Sequence, residues 1–169
     1  MLISEEYRAQ LSQKHAESSE FGAGAAGKYA DIIGHVADDI SARTILDYGA
    51  GKQSLAKAMR DRTVISYDPA VPEIAGEPDP ADLVVCTDVM EHIEPKYLDD
   101  VLADIQRCTL KAALFTICVV PAHKHLPDGR NAHLIVEDVR WWCRKLFHHF
   151  KPVMIQAQKN GFLFVGTPV

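Results

Sequence analysis

Apolar positions recur along this chain in two rhythms. Short, nearly continuous apolar runs stand at Thr44–Asp47, Thr63–Asp68, Asp82–Asp88 and Ala113–Val120. Runs of that kind suit strands buried on both faces of a parallel sheet. Between them, apolar residues fall three and four apart. Over Pro95–Cys108, Tyr97, Leu98, Val101, Leu102 and Ile105 make one stripe, the spacing of a helix packed on one side. Helices are also predicted over Gln53–Arg60 and Glu137–Phe147 and, ahead of the first strand, over Ser4–His15 and from Lys28 to Ile40. At the end of the chain VMIQAQ and GFLFVGT flank Lys159-Asn160-Gly161, a hairpin turn sequence.

Strands that alternate with helices and close in a hairpin predict a three-layer α/β domain, mostly parallel with an antiparallel C-terminal hairpin. We expect one domain over 1–169, with a helical arm at 1–42 and a core at 43–169. The length is enough for a sizeable core. A content of 47% hydrophobic and 24% charged residues is ordinary for a globular protein. The net charge of −5 disfavours a nucleic-acid partner without excluding one. No apolar run approaches the ~18 residues of a membrane span. Cys86, Cys108, Cys118 and Cys143 show no paired spacing and read as free thiols of a cytoplasmic protein.

The chemistry concentrates where the first strand ends, in ILDYGAGKQSLAKAM. A strand, a glycine loop and a helix together turn backbone N–H groups toward a ligand. A dinucleotide loop would need a third glycine after Gly49 and Gly51, and a triphosphate loop would need more residues than GAGKQS offers. A second glycine-rich stretch, Gly22 to Lys28, has the G-x-x-x-x-G-K spacing, but Tyr29 follows where a hydroxyl should ligate Mg²⁺ and no strand precedes it. Asp47 helps decide between these ligands and a third kind. A carboxylate at a strand end suits a ligand carrying an ammonium and is a liability beside a pyrophosphate.

LDYGAG resembles the D-x-G-x-G-x-G loop of class I S-adenosylmethionine-dependent methyltransferases, with Gln53 in the place of the third glycine. Two more stretches extend the resemblance from Thr44 onward. In SYDPAV the strand ends at Asp68, 21 residues beyond Asp47, where the family places an acid that accepts from both ribose hydroxyls. The alternative is a strand-end Asp capping the turn before Pro69. DLVVCTDVMEHI resembles the family's fourth-strand segment, with Asp88 near the adenine or methionine end of the cofactor. The family's intervening strand has only the 13 residues Pro69–Ala81 available, four of them proline, so it is expected to be reduced or missing.

The resemblance implies a Rossmann-like methyltransferase fold with S-adenosylmethionine as cofactor. It implies cofactor binding by Asp47, Tyr48, Gly49, Ala50, Gly51, Asp68, Pro69, Thr87 and Asp88, with the adenine pocket built mainly from Pro69, Ala70, Cys86 and Thr87. Glu91 and His92 are expected to open the next helix, as catalytic groups or, for Glu91, as a dipole-favoured first-turn acid. The expected activity is methyl transfer to a small-molecule, nucleotide or sugar acceptor. Two alternatives stand beside it: a non-catalytic module that binds the same cofactor, and a nicotinamide-dependent oxidoreductase.

HKHLPDGRNAHLI is the most polar segment and resembles one in small phage and bacterial methyltransferases of uncharacterised substrate. Here His133 is the candidate general base, and His125, Asp128, Arg130 and Asn131 are candidates to orient the acceptor. The competing reading is a turn with an Asn or His cap. His123, His125 and His133 offer a weaker metal alternative, and no metal is assigned. Of Trp141 and Trp142, adjacent on a helix, at most one can line a site while the other packs inside. The N-terminal arm, with Tyr7, His15 and the small-residue stretch FGAGAAG, is expected to act as a lid, or else to pack as two helices on one sheet face.

Overall fold

The computed structural model describes residues 1–18, 22 and 25–169, without the side chains of 25 and 26. Residues 21, 23 and 24 of the stretch expected to serve the lid, FGAGAAG, lie outside the described residues. Among the described residues six strands form one sheet: β1 (Thr44–Tyr48), β2 (Thr63–Tyr67), β3 (Ala81–Thr87), β4 (Thr109–Cys118), β5 (Phe150–Gln158) and β6 (Gly161–Pro168). Their order is β2-β1-β3-β4-β6-β5. β2, β1, β3 and β4 pair in parallel, while β6 runs antiparallel to both β4 and β5. The chain is therefore an α/β Rossmann-like domain with a mixed six-stranded sheet. Between Pro69 and Pro80 there is no strand, only a 3-10 turn at Pro72–Ile74, as the prolines require.

Among the described residues six helices accompany the sheet: α1 (Glu5–Glu17), α2 (Ala25–Lys28), α3 (Ala30–Asp39), α4 (Ser54–Ala58), α5 (Leu98–Cys108) and α6 (Val139–Phe147). Alternation along the central strands divides the core. Ile45, Leu83, Val85 and Leu114 pack with Ile33, Ala37 and Leu55 of α3 and α4. Leu46, Val84, Cys86 and Phe115 pack on the opposite face with Val101, Leu102 and Ile105 of α5 and with Trp142 and Leu146 of α6. Both faces are covered, which is why the strands read as unbroken apolar runs.

Helix ends follow local chemistry. Ser4 caps α1 by accepting from the Tyr7 N–H at 3.2 Å, and Asp138 caps α6 by accepting from the Trp141 N–H at 2.7 Å. Two expectations are corrected here. Glu91 and His92 do not open a helix; they lie in a 3-10 turn, Met90–His92, and Ile93 returns to extended backbone before Pro95. The dipole account of Glu91 falls with that. The helix expected from Gln53 begins one residue later, because Gln53 is left-handed.

Trp142 is fully buried and Trp141 only partly. Truncating a buried aromatic costs about 3–5 kcal/mol. Trp142→Ala should therefore lower the unfolding free energy by about that much in a urea titration, and Trp141→Ala by less than half of it.

Candidate active site

The loop after β1 folds back over the end of β2. The N–H groups of Gly49 and Ala50 both donate to the Tyr67 carbonyl, at 2.8 and 3.0 Å. Gly49 has φ +86, and a Cβ there would stand 2.6 Å from the side chain of Val89. Gly51 has φ +48, and its Cβ would meet the Gly22 carbonyl at 2.7 Å. The Gly51 N–H donates to Asp68 Oδ2 at 3.0 Å, and Asp68 Oδ1 accepts from the Ala70 N–H at 2.9 Å. The strand-end cap of the turn at Pro69 is thus present. A carboxylate offers about four lone-pair sites, so each oxygen can accept a further bond.

Gln53 adopts φ 57, ψ 42. The backbone at the family's third glycine keeps a glycine conformation although the residue has a Cβ, which carries a cost of about 1–2 kcal/mol. The Gln53 side chain does not line the cavity described next.

Above the sheet's carboxyl end lies a cavity of about 330 Å³. One side is built by Tyr48, Gly49, Ala50, Gly51, Asp68 and Pro69 and another by Thr87, Asp88 and Val89. The far side is mostly apolar, with Leu2, Ile3, Tyr7 and Leu11 facing Ile93, Leu126 and Ala132. Helix α1 is fastened over it by side-chain hydrogen bonds. The Ser4 N–H and Oγ–H reach Glu94, at 2.8 and 2.9 Å. Tyr7 donates to the His92 carbonyl at 2.9 Å and Ser12 to the Ala70 carbonyl at 2.7 Å.

Electrostatics single out three groups. Asp47 is 1% exposed, its Oδ2 has no hydrogen-bond partner, and it does not itself line the cavity. Burial, with repulsion from Asp68 second, pushes its pKa up to about 7. Burial of the His92 ring lowers its pKa to about 4. Its Nδ1 lies 2.7 Å from the Ala132 carbonyl, which places the hydrogen on Nδ1 and leaves Nε2 as the lone-pair nitrogen. Burial raises Glu91 to about 8.

The candidate residues separate in space. Of the expected cofactor set, all but Asp47 line the cavity. Ala70 and Cys86 are buried outside it, so the expected adenine wall is reduced to Pro69 and Thr87. Of the catalytic candidates only His92 lines the cavity. Glu91 and His133 line a second cavity of about 310 Å³, with Lys28, Asp88, Cys118 and Asn160. His133 touches His92 edge-on, ring centroids 4.8 Å apart.

The acceptor candidates His125, Asp128, Arg130 and Asn131 line neither cavity. Arg130 grips Asp128 at 2.7 Å. Asn131 accepts from the Ala122 and His133 N–H groups and donates to the Ala122 carbonyl, bracing its own loop. His123 and His125 are exposed and are not gathered with His133. Trp141 and Trp142 line neither cavity. Sequence reasoning missed Leu2, Ile3, Leu11, Leu126 and Ala132, which carry no chemical mark beyond being apolar.

Residues 14–157 match the protein family described as Methyltransferase domain. The chain belongs to that family. It is an S-adenosylmethionine-dependent methyltransferase, and the non-catalytic and nicotinamide alternatives are set aside. No curated protein sequence matches it. Among solved structures it is similar to the 1,6-didemethyltoxoflavin-N1-methyltransferase of Burkholderia thailandensis, with bound 1,6-didemethyltoxoflavin and S-adenosylhomocysteine. That likeness has 20% identity and a TM-score of 0.71, covering 100% of this chain and 92% of that one. The DhpI–SAH complex matches with 17% identity and a TM-score of 0.62, covering 95% of each chain. Magnesium protoporphyrin IX methyltransferase from Synechocystis PCC 6803, with bound SAM, matches with 12% identity and a TM-score of 0.59, over 85% of this chain and 79% of that one. At these identities the structures speak for the fold.

Two outcomes are expected of this methyltransferase. Gln53→Gly relieves the left-handed strain and should stabilise the chain by about 0.5–1 kcal/mol, a rise of about 1–4 °C in Tm. Asp47 releases its proton near pH 4 when unfolded and near 7 when folded. The native chain therefore holds more protons between those values, and its stability falls as pH rises through that window, by at most about 1.4 kcal/mol per pH unit from this one group. Asp47→Asn should lack that contribution in thermal scans from pH 4 to 8.

Proposed function

We propose that this methyltransferase acts on a small-molecule acceptor held in the outer, apolar part of the 330 Å³ cavity, beneath α1. The observation that carries the reading is the cover over that part. Leu2, Ile3, Tyr7 and Leu11 close over Ile93 and Leu126, and Glu94 and the His92 carbonyl hold the helix down. A polymer cannot thread beneath this cover without displacing it, and the net charge of −5 gives nucleic acid no attraction. The Burkholderia thailandensis protein, which holds 1,6-didemethyltoxoflavin and S-adenosylhomocysteine together, supports a small acceptor.

The residues present fit the cofactor. Asp47 keeps a buried, unpartnered carboxylate oxygen suited to an ammonium, and Asp68 keeps lone pairs for two ribose hydroxyls. Tyr48, Gly49, Ala50 and Gly51 would lie along the methionine portion, with Pro69, Thr87 and Asp88 toward the adenine. When bound, S-adenosylmethionine supplies a methyl group already activated on sulfur. The protein's work is then to align the acceptor and exclude water. His92 would turn Nε2 toward the acceptor and accept a hydrogen bond from its N–H or O–H. Helix α1 must lift for the acceptor to enter, which gives the lid role to α1, whereas α3, with Ile33 and Ala37 buried against the sheet, belongs to the core.

Isothermal titration should show saturable binding of S-adenosylmethionine and S-adenosylhomocysteine, weakened at least tenfold in Asp68→Ala. A mixture of small heterocycles, phenols and amines should then drive S-adenosylhomocysteine release, whereas DNA and RNA should not. Release driven by nucleic acid alone would overturn the small-molecule assignment.

A further inference from the structure

The second cavity contains a cluster that methyl transfer, as described, leaves unused. We propose that Glu91, Cys118 and His133 form a binding site for a divalent cation of the zinc type, with a fourth coordination position open to the cavity. One donor atom from each residue lies within 4.8 Å of the other two, and this is the one such group among the described residues. Bonds of 2.0–2.3 Å to zinc place tetrahedral donors about 3.4 Å apart. Ligation would therefore draw the three side chains together by roughly 1 Å.

Each side chain is already aimed. His133 Nδ1 lies 2.6 Å from the Val120 carbonyl, so its hydrogen points there and Nε2 is the nitrogen left to ligate. A ring nitrogen anchored on a backbone carbonyl is the usual support behind a metal-bound histidine. Glu91 Oε1 accepts from the Cys118 N–H at 3.0 Å. Its other oxygen, Oε2, has no partner although the residue is fully buried and lines the cavity. Leaving such an atom unpaired is unfavourable, and a cation bound to it removes that penalty. The Cys118 thiol donates to the same Val120 carbonyl at 3.7 Å, a bond it gives up when it loses its proton to bind the ion.

The donor set selects the ion. One sulfur, one imidazole nitrogen and one carboxylate oxygen suit zinc and its borderline neighbours, whereas Mg²⁺ and Ca²⁺ demand oxygen throughout. Lys28 does not bar a cation, because its ammonium is paired with Asp88 at 3.1 Å. The cavity of about 310 Å³ leaves room for water or a ligand atom at the fourth position. Asp88 lines both cavities, so the site adjoins the cofactor cavity without sharing its floor, and it stands whatever acceptor is methylated.

The test is a titration of Co²⁺, then Zn²⁺, into the full chain carrying no affinity tag. One equivalent of Co²⁺ should produce a thiolate-to-cobalt absorption band with intense tetrahedral visible bands, and Zn²⁺ should displace it. Cys118→Ser should abolish the thiolate band. His133→Gln and Glu91→Gln should weaken binding at least ten- to hundredfold, the loss seen when even a supporting hydrogen bond of a metal site is removed. The double variant His123→Ala, His125→Ala should bind like wild type. Absence of the thiolate band in the wild-type chain overturns the site, and this result depends on no variant folding. Stoichiometric binding that survives Cys118→Ser and His133→Gln, or that is lost in the His123, His125 variant, overturns it equally.

Discussion

The carboxylate of Asp68 joins the ends of two strands. Through Gly51 it fixes the loop after β1, and through Ala70 it fixes the turn that replaces a missing strand after β2. The rest of the cavity is laid against that loop. Val89 rests where a Cβ of Gly49 would be, and the Gly22 carbonyl where a Cβ of Gly51 would be. The arrangement has an electrostatic consequence, because Asp68 stands close enough to Asp47 to help hold its proton. Two carboxylates at the ends of neighbouring strands disfavour each other's ionisation.

Asp88 is the second constraint. Its φ of 52 is unusual for a residue with a Cβ. Thr116 holds it there: the Asp88 N–H donates to both the carbonyl and Oγ1 of Thr116, at 2.9 and 3.0 Å, and the Thr116 hydroxyl donates back to Asp88 Oδ1 at 2.8 Å. The strained turn carries the chain from β3 across the rim that separates the two cavities. Residues before it, such as Thr87, face one cavity and Glu91 after it faces the other. Strain retained by an over-determined set of bonds is common at functional sites.

Much of this was legible. The four buried strands announced themselves as continuous apolar runs because both faces of a parallel sheet are covered, and the hairpin announced itself through Lys159-Asn160. The order Asp47, Gly49, Gly51, Asp68, Asp88 placed the chemistry at the sheet's carboxyl end, where the cavity lies. Gln53 could not be read correctly, since its residue type does not favour the left-handed backbone that the loop imposes on it. Within the 123–133 segment the sequence left a ligand-facing reading and a turn-and-cap reading side by side. Its polar residues looked free to meet a ligand, but Arg130 is spent on Asp128 and Asn131 on its own loop, while the apolar Leu126 and Ala132 face the cavity.

What the sequence by itself determined is local: which residues form strands and helices, which face of each is buried, and which strand ends carry glycines and carboxylates. Periodicity records burial, and the loop motif needs only neighbours within about twenty residues. The sequence left the N-terminal arm as a lid or as helices on a sheet face, and tertiary structure alone decided that Leu2, Ile3, Tyr7 and Leu11 of that arm line the cavity. It likewise decided that Glu91 meets Cys118 and His133, and not that His133 meets His123 and His125. These are convergences of side chains from distant segments. Their geometry is set by how sheet, turns and α1 pack together, and nothing in the local order of residues encodes that packing.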